Sequence, residues 1–126
     1  MQITPRIPPQ RFLVTTEYEV TTMRQEVRRI ARALGLGLAQ QAKITTAISS
    51  IARVLLARYR SAVFALETTA QGMPAALEIA CMLGPAPTDG IQPEQALDLA
   101  DVQLLVDETT LSYHAGQAVL RLRMHL

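Results

Sequence analysis

The side chains able to do chemistry in this chain are few and scattered. His114 sits near a predicted turn at Ala115-Gly116 and His125 beside the carboxyl end. Neither has neighbours at metal-ligating spacing, and a catalytic base needs positioned partners. The single cysteine, Cys81, lies in an apolar run and reads as a small core residue. It cannot form an internal disulfide, which fits a reducing compartment and makes the cytoplasm the expected location. Ser49 and Ser50 fall in the middle of a predicted helix, facing inward, which argues against their phosphorylation. Asp107 and Glu108 close another predicted helix, where carboxylates oppose the helix dipole. The one dense group is cationic: Arg24, Arg28, Arg29 and Arg32. Positions 24, 28 and 32 share a helix face at i, i+4 spacing. They read either as a solvated face or as a docking stripe for an acidic partner.

Composition narrows the class. The 126 residues suffice for one domain and one core. The apolar fraction is 49% but aromatics make up 4% with no Trp, so the core must be built from closely packed aliphatic side chains. A net charge of +1 gives no long-range field for nucleic acid, and no interleaved aromatics offer a stacking platform. No apolar run can span a bilayer, and the amino terminus lacks the blocks of a signal peptide.

The elements that must position these side chains are legible in the hydrophobic periodicity. Residues 1–10 hold Pro5, Pro8 and Pro9 and predict an extended lead-in to one domain over residues 11–126. Phe12 to Val20 alternates as a half-buried strand. Thr22 and Gln25 fit a capping box for a first helix carrying Met23, Val27, Ile30, Ala31 and Leu34, stopped by Gly35 and Gly37. A second helix, Gln40 to Tyr59, buries Ile44, Ile48, Ile51, Leu55 and Tyr59. Val63 to Thr69 is a strand apolar on both sides. A turn at Gln71-Gly72-Met73-Pro74 joins it to a strand Ala75 to Leu83, with Leu77, Ile79, Cys81 and Leu83 on one face. Gly84 to Pro93 must be a loop. A helix from Leu97 to Asp107, with Leu97, Ala100 and Leu104 inward, precedes a hairpin of Thr110 to His114 and Gln117 to Met124. The expected fold class is α+β, a two-layer sandwich of a mostly antiparallel sheet with helices on one face.

Three stretches carry a family resemblance. They are Gln41-Ala-Lys-Ile-Thr-Thr-Ala-Ile-Ser49, Gly84-Pro85, and Leu104-Leu-Val-Asp-Glu108. In this order they resemble the RsbT-like anti-sigma regulatory serine kinases of the GHKL (Bergerat-fold) ATPase group, over roughly residues 21–124. The resemblance implies that ATP and Mg²⁺ are held by a Glu and an Asn on the second helix, an adenine-binding Asp at a strand end, and a glycine-rich lid. It implies as partners a STAS-domain antagonist, the kinase substrate, and a PP2C-type phosphatase.

This chain departs from that pattern at every part of the site. The Glu and Asn positions are Ser50 and Val54, and Val54 has no oxygen to offer a magnesium ion. The Asp position is Met82, which would fill the place of an adenine ring and offers no adequate acceptor; Gly84 and Pro85 follow, but Ala86 replaces the next glycine. Between Ile91 and Leu99 no Gly-x-Gly remains to let backbone N–H groups approach phosphates. Loss of metal neutralisation removes several kcal/mol, and loss of a general base a further factor of roughly 10² to 10⁴ in rate. No carboxylate at a neighbouring helix position stands in for the missing one. ATP and Mg²⁺ are therefore expected not to bind.

The expected function is a non-catalytic, pseudokinase-like interaction module in bacterial switch-protein signalling. Its candidate binding surfaces are Arg24, Arg28 and Arg32, and the uncovered sheet face, through which a homodimer could form. An active ATP-dependent kinase with an altered site is the alternative. A third reading is a small-molecule binder in an apolar pocket between Met82 and Val54.

Overall fold

A computed structural model describes residues 7–69, 75–84, 97 and 99–126. The elements run β1 (Gln10–Val14), α1 (Glu17–Ala33), α2 (Leu38–Tyr59), β2 (Ala62–Thr69), β3 (Ala76–Gly84), α3 (Leu99–Leu105), β4 (Glu108–His114) and β5 (Gln117–His125). The five strands form one sheet in the order β1-β2-β3-β5-β4, antiparallel at every pairing. This is the expected α+β sandwich. The turn at 71–74, the segment 85–96 including the lid position, and the first six residues of the lead-in lie outside the described residues.

Strand alternation decides which face is covered. Phe64 and Leu66 of β2, Leu77, Ile79, Cys81 and Leu83 of β3, and Leu120, Leu122 and Met124 of β5 are all buried in one core. Against them pack Ile44, Ile48, Ile51 and Leu55 of α2, and Val20, Met23, Val27 and Ile30 of α1. Each side chain of this size gains on the order of 1.5–3 kcal/mol from burial. The opposite face carries Val63 and Ala65, which are half-buried, beside Glu78, Arg121 and Arg123.

The first helix begins six residues before its expected start, and the strand before it ends at Val14 rather than Val20. The true cap is Thr16, extended at φ −137°, whose hydroxyl accepts from Glu19 N–H at 3.1 Å. The Glu19 carboxylate in turn accepts from the Thr15 hydroxyl at 2.6 Å and the Thr15 N–H at 3.0 Å. Thr16 and Glu19 are thus the Thr-x-x-Glu pair that caps the helix, with Glu17 and Glu19 favouring the positive end of its dipole. Tyr18, expected inward on a strand, is exposed, and Val20 is buried at helical spacing with Met23 and Val27. Alternation over residues 12–20 is real, but those capping bonds and the 3.6-residue stripe outweigh it.

Gly35, at φ +91°, closes α1: Leu36 N–H reaches back to Ala31 C=O at 3.0 Å. Gly37 is not part of that stop. It is the N-cap of α2, and the Gln40 side chain accepts from its N–H at 2.9 Å.

The last helix also differs from expectation. It spans seven residues; Leu104 is 79% exposed, Ala100 is exposed as well, and Val102 is buried. Leu97 is buried but precedes the helix. Asp107 and Glu108 lie beyond its end, so no dipole conflict arises. Asp107 accepts from His125 N–H at 2.7 Å, and Glu108 pairs with Arg123 at 3.2 Å and lies 3.1 Å from the His125 ring.

Two measurements test these assignments. Thr16→Ala should lower unfolding stability in urea by about 1 kcal/mol, whereas Thr22→Ala, on an exposed helical position, should stay within about 0.5 kcal/mol. Hydrogen bonds from Thr15, its hydroxyl first, hold the Glu19 carboxyl below its ordinary value of 4.5. A lowered carboxylate value stabilises the fold above the unfolded value and stops doing so as pH falls through the folded one. The destabilisation caused by Glu19→Gln at neutral pH should therefore fade on acidification below 4.5.

Candidate functional site at the α1–α2 seam and the β3 end

The buried side of α2 is fixed by hydroxyls that bond their own helix. Thr45 donates to Gln41 C=O at 2.8 Å and Ser49 to Thr45 C=O at 2.6 Å, while the Gln41 amide donates to Leu36 C=O at 2.8 Å. The donors of these buried groups are thereby satisfied within the helix and its entry turn. Ser49 is inward as expected. Ser50 is not: it is exposed, because one residue along a helix turns the side chain by about 100°.

Ser50 and half-buried Val54 line a groove of about 340 Å³ between α1 and α2, with Arg24, Thr46, Ser49 and Arg53. Glu17, at the start of α1, meets Arg53 at 2.7 Å. Sequence reading missed this carboxylate because it placed residue 17 on a strand; the Thr-x-x-Glu cap was the signal that could have found it. Glu17 neutralises Arg53 and is no substitute for an acid at position 50. Arg24 and Arg28 border a second concavity of about 190 Å³ along the same seam. Arg24, Arg28 and Arg32 form no ion pair among the described residues, whereas Arg29 pairs with Glu26.

Met82 and Gly84 lie elsewhere. Cys81 and Leu83 take the inward positions of β3, so Met82 faces the other side, paired in register with Val63 and Val119. Met82 and Gly84 line a cleft of about 320 Å³ with Arg11, Tyr59, Ser61 and Gln117. The apolar pocket expected between Met82 and Val54 is not formed by the described residues, since strand parity sends the two side chains into different concavities. Gly84 adopts φ +78°, a conformation costly for any residue with a Cβ.

The remaining reactive groups stay apart. Cys81 is fully buried and burial pushes its thiol upward, which leaves little nucleophilic thiolate. His114 is exposed on β4 and His125 contacts Asp107 and Glu108. Among the described residues no group of three His, Cys, Asp or Glu is placed to hold a metal, and no helix is long and apolar enough to cross a membrane.

An antiparallel sheet backed on one side by helices is the two-layer arrangement that the resemblance to the GHKL ATPase group implies. Comparison with known proteins agrees. A 40-residue stretch, 32% of the chain, is 48% identical to the serine/threonine-protein kinase RsbT of Bacillus subtilis, of which it spans 30%. The fold matches a solved structure of the RsbU and RsbW domains of a Mycobacterium tuberculosis protein with a TM-score of 0.66. That match has 21% identity and covers 95% of this chain and 33% of the other. No protein-family model matches. The chain is thus similar to RsbT over a 40-residue stretch and shares its fold with one third of that two-domain structure.

The Glu17–Arg53 pair is exposed on both sides, 62% and 52%, so it contributes little to stability. Arg53→Ala should shift the unfolding free energy in urea by no more than about 1 kcal/mol. Its effect on binding can then be read without a folding defect.

Proposed function

We propose that this protein is a non-catalytic regulatory module of the RsbT/RsbW type, which acts by binding protein partners rather than by transferring phosphate. The observation that carries the reading is the chemistry of the α2 groove. At the two positions where the resembled kinases hold a Glu and an Asn, the wall presents Ser50 and Val54, and the carboxylate nearest to the groove's Arg53 is Glu17, already paired with it. A magnesium–triphosphate is held best by carboxylate and amide oxygens; this wall offers only neutral hydroxyls, and Met82 offers no oxygen at all. ATP and Mg²⁺ are accordingly read as ligands that the chain no longer takes.

The partners follow from the resemblance: a STAS-domain antagonist or a PP2C-type phosphatase, engaged through the Arg24, Arg28 and Arg32 face of α1. A second copy of the chain across the open sheet face is a further partner compatible with half-buried Val63 and Ala65. The rival reading, a working ATP-dependent serine kinase with an altered site, draws on the likeness to RsbT.

Isothermal titration with ATP and Mg²⁺ separates the two. The expected result is no binding in the micromolar range and no phosphate transfer to a STAS-domain substrate. Micromolar affinity would overturn the non-catalytic reading.

A further inference from the structure

The seam between α1 and α2 is charged in an unbalanced way. Arg24 borders both of its concavities and Arg28 one of them, and among the described residues no carboxylate lines either. Arg29 and Arg53 have found acids within the chain; Arg24 and Arg28 form no ion pair among the described residues. The opposite wall is equally unspent. Thr45 and Ser49 give their hydroxyls to helix carbonyls, whereas the exposed Thr46 and Ser50 hydroxyls make no hydrogen bond among the described residues.

We propose that this seam is the docking groove for an acidic helix of a protein partner. The proposal deepens the regulatory reading above and rests on it. Arg24, Arg28 and, beyond the groove, Arg32 rise by about 6 Å per step along α1. Carboxylates four residues apart on a helix laid along the seam rise by the same step, so each meets one guanidinium. A single phosphate group spans one step only. On the α2 side, Thr46 and Ser50 are also four apart and short, which lets an incoming backbone approach to the 8–10 Å of ordinary helix packing. Their unused hydroxyls then donate to the carboxylates that the arginines hold. Loss of the acid at position 50 gains a second meaning: a carboxylate there would stand in the groove and repel an acidic helix.

The test uses the full chain and two synthetic helical peptides of identical composition. One carries Glu at every fourth position, and the other has the same Glu residues spread around the helix. Titration should show binding of the first peptide, weakened by added salt because its contacts are exposed ion pairs. Arg24→Ala with Arg28→Ala should weaken it by up to roughly tenfold, since two such pairs are lost together. Ser50→Glu should weaken it as well, while Arg29→Ala changes it less than about twofold, as expected for a cation already satisfied by Glu26. Circular-dichroism melts establish that each variant is folded. Equal binding of the two peptides, or unchanged affinity in the double arginine variant, overturns the groove. So does binding of inorganic tripolyphosphate in the seam while the patterned peptide gives no signal. The two readings fail separately: micromolar ATP affinity overturns the non-catalytic assignment, and peptide indifference overturns this groove alone.

Discussion

Burial of one helix holds the whole arrangement. Ile44, Ile48, Ile51 and Leu55 of α2 are essentially without solvent exposure, and they lie between α1 and the inward side chains of β2, β3 and β5. A core made almost entirely of aliphatic groups has no aromatic anchor apart from Phe64, so close fit must supply cohesion. The hydroxyls of Thr45 and Ser49 enter that core only because α2's own carbonyls receive them. Everything that faces solvent on α2 inherits its direction from this constraint.

That direction separates the side of α2 that packs from the side that lines the seam. The packing side of α2 does not involve exposed Ser50, while half-buried Val54 lines the seam and also packs against the edge of the core. Residue 50 can therefore change without touching the core stripe, and residue 54 meets only its edge. Folding and the chemistry of the seam place their demands on different faces of one helix. The same separation leaves Arg24 and Arg28 on a surface where no acid among the described residues pairs with them.

On the sheet, parity plays the corresponding role. Leu77, Ile79, Cys81 and Leu83 claim the inner face of β3, and Met82 is consequently committed to the outer one. A residue taken from its sequence neighbourhood as a stand-in for a site group is thereby moved to the far side of the sheet. The charged groups of that outer face answer one another: Glu78 with Arg121 and Arg123, and Glu108 with Arg123 and His125.

The amino-acid order alone determined the eight-element sequence, the antiparallel sandwich and the buried stripes of α2 and β3, because periods of 3.6 and 2 are local properties of the backbone. It also shows residue types directly, since these need no coordinates: Ser50, Val54 and Met82 carry no carboxylate or amide side chain, and no Gly-x-Gly lies between Ile91 and Leu99. Tertiary structure decided where α1 begins, for alternation over Phe12 to Val20 and a Thr-x-x-Glu cap compete locally and only packing against α2 and the sheet selects the cap. It decided too that Glu17 meets Arg53 across 36 positions, that Leu104 turns outward, and that Met82 and Val54 part company. Each of these depends on which face of an element finds a neighbour, and that information exists only once the layers are assembled.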